Sequence, residues 1–94
     1  MSGPALWIRE AEVCELLDLR DAIDALETTL IEQAKGQAKN MEKTLATYGE
    51  GATLHALGAV AEARGLVCTK TWAHTPGGAN PLLLLWDAAS GELQ

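Results

Sequence analysis

The sequence predicts one α/β (α+β) domain over residues 1–94, in which two N-terminal helices pack on a small mixed, largely antiparallel sheet completed by self-association. Three observations point there. Apolar residues recur at helical spacing as far as Ala34; beyond Asn40 they alternate with period two or run continuously; and glycine-containing turns separate those later runs. The length admits one core, because folding a chain of this size buries about 9,000 Å², too little for two.

The elements follow in chain order. Leu6-Trp7-Ile8 is a short β-prone run, and Glu10 to Leu17 places Val13, Leu16 and Leu17 on one helical face. Asp18-Leu-Arg-Asp21 reads as a variant capping box that opens a second helix. Along it Leu19, Ala22, Ile23, Leu26, Leu30 and Ala34 form an apolar face, and Asp21, Asp24, Glu27, Thr28, Glu32 and Lys35 lie opposite. Gly36 suits the left-handed residue after the last turn. Residues 37–40 read as a connection, after which Lys43–Tyr48 and Ala52–Leu57 form two strands about the Gly49-Glu-Gly51 turn. Residues 58–65 fit a loop or one helical turn equally well.

Leu66–His74 is a strand with Cys68, Lys70, Trp72 and His74 on one face. Pro76–Pro81 breaks it. Leu82–Trp86 reads as a strand covered on both faces, and a turn at residues 87–91 leads to Glu92-Leu-Gln94, the start of another. That last strand has no partner in view, so the sheet edge is expected to be covered by another subunit or by a further segment.

Composition narrows the function. Seven Lys and Arg against thirteen Asp and Glu give a net charge of -6, a field that repels phosphate backbones, so no nucleic-acid partner is expected. The longest apolar run, Pro81 to Trp86, is far short of the ~20 residues of a membrane helix, so no membrane partner is expected either. The first ten residues lack a basic region before an apolar stretch, and Cys14 and Cys68 lie on different patterns, which together predict a cytoplasmic protein without a disulfide framework. No pair among Cys14, Cys68, His55 and His74 has zinc-like spacing, so no metal is expected. Trp7, Trp72 and Trp86 fall on predicted strands, where core packing is their ordinary role.

Several segments, taken in order, carry a resemblance: Ala11-Glu-Val-Cys-Glu-Leu-Leu-Asp18 with Ala22-Ile23, the Lys35-Gly36 helix ending, Leu54-His-Ala-Leu-Gly-Ala59, Lys70 on its strand, Pro76-Gly77, Pro81-Leu82, and Leu85-Trp-Asp-Ala-Ala-Ser-Gly-Glu92. Together they resemble the N-terminal segment of the ornithine cyclodeaminase/mu-crystallin family over nearly the whole chain. The resemblance implies a substrate-binding and dimerising domain that in full-length members is followed by a Rossmann domain binding NAD(H) or NADP(H). It implies hydride chemistry at a carbon bearing nitrogen, with a strand lysine, here Lys70, helping to hold the substrate carboxylate. A second basic residue does similar work in the family, usually an arginine, and Lys43 stands nearest to it. The chain departs from the family pattern at Lys43, at Leu57-Gly58 in place of Met-Pro, and in ending before a Rossmann domain.

Two functions follow as expectations. The first is a free-standing, non-catalytic fragment that forms a homo-oligomer, a dimer or higher, and binds a small amino or oxo acid. The second is the substrate-binding part of an NAD(P)-dependent deaminase or imine reductase whose Rossmann domain lies on a missing segment or a partner chain. Lys70 and Lys43 are the candidate substrate-binding residues. Pattern alone favours reading Lys70 as a solvent-facing strand lysine that discourages edge aggregation, and it is the resemblance that turns it into a candidate site residue; His55 and His74 are assigned no catalytic role. Gly49-Glu-Gly51 and Gly77-Gly78 both lead into strands rather than helices, so neither supplies a dinucleotide phosphate loop, and NAD(P) is expected only through another domain or chain. The isolated chain should therefore show no saturable quenching of tryptophan emission by NADH after inner-filter correction; saturable quenching would contradict this.

Overall fold

Asp18 opens the long helix as its spacing predicts. In the computed structural model, which describes residues 3–94, Asp18 Oδ1 accepts from Asp21 N at 2.8 Å and Asp21 Oδ2 accepts from Asp18 N at 3.2 Å. The short helix α1, Glu10–Leu16, precedes it, with Glu12 Oε1 accepting from Arg9 N at 3.2 Å. Helix α2, Leu19–Ala34, closes with Gly36 at φ 77° and Gln37 N donating to Glu32 O at 2.8 Å.

Six strands follow: β1 Ala38–Asn40, β2 Thr44–Tyr48, β3 Ala52–Ala61, β4 Leu66–Thr75, β5 Gly78–Ala79 and β6 Leu82–Asp87. Every pairing is antiparallel. β1 and β2 both lie along β3, and β5 and β6 both lie along β4, so the sheet is a four-row meander with interrupted outer rows. Residues 58–65 resolve into the end of β3 and a single 3-10 turn, Glu62–Arg64, closed by Gly65 at φ 66°. A side chain at Gly65 would meet no obstruction in space, but only glycine enters that left-handed conformation without cost.

The two outer rows are interrupted for different reasons. On one side Asn40 pairs with Ala59 and Thr44 with Ala56, so residues 41–43 oppose only 57–58: a β-bulge of one extra residue. On the other side the register is continuous from β5 to β6, and residues 80–81 drop out of the ladder. Pro81 has no N–H to give it.

Several expectations are corrected. Leu6–Ile8 forms no strand; its tie to the sheet is Leu6 N donating to Gln94 O at 2.8 Å, and Trp7 is 70% exposed rather than packed in a core. Residues 37–40 are not merely a connection, since β1 occupies Ala38–Asn40. β6 is not covered on both faces: Leu82, Leu83 and Leu85 are exposed, and Leu84, Trp86 and Asp87 are half-buried. The terminal strand reduces to one bridge, Leu93 with Trp86.

The helices meet the sheet chiefly where α2 lies beside β1, aided by Arg64 Nε at 3.5 Å from Glu32 Oε2 and by Ala63 N donating to Gln37 O at 3.4 Å. The apolar face of α2 is otherwise open, Leu26 and Leu30 each remaining more than half exposed. Among the described residues the buried apolar side chains are Ala38 and Ala52 alone. The accessible surface is 7440 Å², whereas a folded monomer of 10.0 kDa has about 5,200 Å². The Cα radius of gyration, 15.3 Å, likewise exceeds the ~12 Å of a packed domain of this length.

Among the glycines, Gly58 is the one where an added side chain would meet a close contact. A Cβ there would stand 2.6 Å from Met41 Sδ and 2.8 Å from the Cys68 carbonyl oxygen. Met41 can swing aside, but the Cys68 carbonyl belongs to the β3–β4 ladder and cannot. Gly58→Ala should therefore destabilise the fold by about 1–3 kcal/mol, read as a lower urea midpoint at unchanged slope. An unchanged midpoint would show that the ladder yields there at no cost.

Candidate functional site

Residues directly opposite in an antiparallel pair share a face of the sheet. The β3–β4 register sets Leu57 opposite Lys70, His55 opposite Trp72 and Thr53 opposite His74. The β4–β6 register adds Leu83 opposite Lys70. One face therefore carries Lys70, Trp72, His55, Thr53 and His74 together.

Lys43 joins them because of the bulge. Counting by twos from Ala38 and Asn40 on the edge row would put residue 43 on the other face. The extra residue in 41–43 reverses the alternation, so that Thr44 faces with Ala56 and Lys43 falls on the side of Leu57 and Lys70. A bulge that re-aims a side chain is a common device beside binding sites.

The side chains meet around one indole. Lys43 Nζ lies 5.5 Å and Lys70 Nζ 5.3 Å from the Trp72 ring centre, cation–π contacts of about 0.5–1 kcal/mol each. His55 stacks on the same ring, centroids 4.6 Å apart and planes 2° from parallel. Thr53 Oγ1 is 2.6 Å from His55 Nε2, and Thr71 Oγ1 donates to the His55 carbonyl at 3.0 Å. His55 Nδ1 is shielded from solvent and has no partner among the described residues. Burial first, then Lys43, then His74 hold the imidazole below its ordinary value of 6.5, so His55 is neutral at pH 7.

Electrostatically the cluster is cationic within an acidic chain. Thirteen carboxylate side chains are available, yet the ion pair among the described residues is Arg64 with Glu32, and neither Lys43 nor Lys70 has such a partner. Two ammonium groups held over an aromatic surface can bind a carboxylate through charge-assisted hydrogen bonds, with the ring excluding water from one side.

Both lysines predicted from sequence thus lie in one cluster. His55 and Trp72 are the members that sequence reasoning passed over, the first as an ordinary strand histidine and the second as a core residue. Their partnership follows from the cross-strand register, which residues 58–65 conceal until the turn is located. Cys14 and Cys68 are free thiols, and no three His, Cys, Asp or Glu side chains converge among the described residues. No helix of the described residues is long and apolar enough to cross a membrane. The shallow groove along α2, lined by Ile23, Leu26, Glu27, Leu30, Ile31 and Ala34, has no convergent polar groups to orient a small ligand.

No protein-family model matches the chain, and no curated protein matches it. Among solved structures it is similar to the crystal structure of a probable ornithine cyclodeaminase from Bordetella pertussis Tohama I, with a TM-score of 0.86 and 24% sequence identity. The match covers 96% of this chain and 29% of that one, so the fold is shared with a part of that protein.

Proposed function

We propose that this chain is the substrate-holding segment of an ornithine cyclodeaminase/mu-crystallin-like protein, non-catalytic by itself, which self-associates and uses Lys43 and Lys70 to hold the carboxylate of a small amino or oxo acid beside Trp72. The observation that carries this reading is the bulge at residues 41–43, which turns Lys43 onto the face of Lys70 and brings both ammonium groups to one ring. A pair of solvent-facing lysines placed only against aggregation has no reason to converge. Lysine in place of a planar guanidinium gives up the two-point grip on a carboxylate, so the expected binding is weak and tolerant of what the carboxylate is attached to.

Self-association is supported by exposed area. The excess of about 2,200 Å² over a packed monomer is more than the ~800 Å² per partner of a standard interface and belongs to the obligate class. Leu19, Ile23, Leu26, Leu30 and Ile31 on α2 and Leu6, Trp7 and Ile8 before α1 supply much of that apolar surface.

A second reading has one observation in its favour: the shared fold spans only 29% of the Bordetella protein. In that reading the same lysine pair serves an NAD(P)-dependent deaminase or imine reductase whose Rossmann domain lies on another segment or chain. The nicotinamide would supply the hydride chemistry, and the part played by these residues would be unchanged: to bind and orient the carboxylate.

Titrating the chain with pyruvate, proline and ornithine while following amide and indole chemical shifts tests the site. Wild type should respond saturably to at least one of the three, and Lys70→Met should lose that response with a stability change under about 1 kcal/mol. Equal binding by the variant removes Lys70 from the site, and an unfolded variant would make Lys70 a structural residue.

A further inference from the structure

We propose that His55 is the third group that holds the anion, its Nδ1 joining Lys43 and Lys70, so that binding of a small carboxylate is coupled to uptake of a proton by the imidazole. The inference rests on the reading in which the two lysines bind a carboxylate, and it adds a residue to which the sequence reading assigns no role in the site.

The geometry leaves His55 one free direction. Stacking on Trp72 fixes the plane of its ring, and the contact of Nε2 with Thr53 Oγ1 fixes rotation within that plane. Nδ1 is then held away from solvent without a partner, a state that costs free energy unless something fills it. Where the Thr53 hydroxyl donates to Nε2, the ring hydrogen sits on Nδ1 and needs an acceptor. When the ring is protonated, Thr53 Oγ1 accepts from Nε2 instead, and Nδ1 is again a donor. In both of these states the missing partner is an acceptor, and a carboxylate oxygen is one; in the other neutral tautomer, with the hydrogen on Nε2, Nδ1 is itself an acceptor, and proton uptake is what makes it a donor to the anion.

The surroundings explain why that acceptor must come from a ligand. On this face β4 presents Lys70, Cys68 and His74, the bulge before β2 presents Lys43, and Tyr48 of β2 and Lys39 of β1 lie on the opposite face. No aspartate or glutamate occupies a position facing His55 on the strands that pair with β3. Within the chain itself an imidazolium at His55 meets Lys43 and His74 as its charged or titratable neighbours, in keeping with its lowered affinity for protons. A bound carboxylate reverses that balance and raises the affinity.

The sign of the linkage follows. At a pH above the liganded midpoint the imidazole is neutral with or without ligand, and carboxylate affinity is independent of pH. As the pH falls below that midpoint the bound state takes up a proton that the free state lacks, and affinity rises until the free imidazole also protonates. Acids such as pyruvate remain ionised throughout this range, so the effect belongs to the protein.

The test follows the His55 Cε1–H resonance of the 94-residue chain by NMR from about pH 5 to 8, with and without saturating pyruvate. Without ligand the midpoint should lie below 6.5; with pyruvate it should rise, and the pyruvate dissociation constant should fall about fivefold between the alkaline and acid ends. His55→Gln, which can hydrogen-bond but not titrate, should bind with a flat pH profile. Pyruvate binding with an unmoved His55 midpoint overturns the role of His55 and leaves the lysine reading standing. Where proline or ornithine binds and pyruvate does not, the same titration is run with that acid; no binding by any of the three at any pH overturns both.

Discussion

The pairing of β3 with β4 is the constraint on which the rest of this structure depends. Nine residue pairs, from Thr53 with His74 to Ala61 with Leu66, fix one register, and every other strand is laid against one of these two. A slip of one residue would turn every side chain of one strand to the other face. It would part His55 from Trp72 and Leu57 from Lys70, and the cationic cluster with them. The 3-10 turn at Glu62–Arg64, with Gly65 in the left-handed region, holds that register at one end. Gly58 holds it in the middle, where only a missing side chain lets Met41 and the Cys68 carbonyl approach.

The bulge at residues 41–43 shows how a departure from regular structure can position a functional group. Regular alternation from Ala38 would place Lys43 and Lys70 on opposite faces, where no single anion could reach both. One extra residue puts the two charges on the same side. Strand alternation predicts orientation only between interruptions of the ladder, and here an interruption sets which face Lys43 shares.

Much of the fold was legible from local signals. The capping box at Asp18, the helix ending at Gly36, the turn at Gly49–Gly51 and the face shared by Cys68, Lys70, Trp72 and His74 are all set by a few neighbouring residues. What local signals did not reveal depends on distant partners. The three residues of β1 are a strand because β3 lies beside them, and Leu6–Ile8 is not one because only Gln94 does. Leu82–Trp86 has the composition of a doubly covered strand, yet among the described residues Leu82, Leu83 and Leu85 stay exposed. Lys70 and Lys43 came from the resemblance. Their convergence, and the place of His55 beside them, came from a register that could not be counted while residues 58–65 had two possible conformations.

The same outer faces raise the central physical question of the molecule. A sheet with both faces open, beside a helix whose apolar side is bare, lacks the burial that offsets the entropy of ordering the chain. The leucines and isoleucines of α2 and β6 are composed for an interior that these residues do not themselves enclose. Sedimentation equilibrium of the 94-residue chain at micromolar concentration addresses this most directly. A dimer or larger assembly is expected, with loss of secondary structure on dilution below its dissociation constant; a folded, concentration-independent monomer of 10.0 kDa would contradict this.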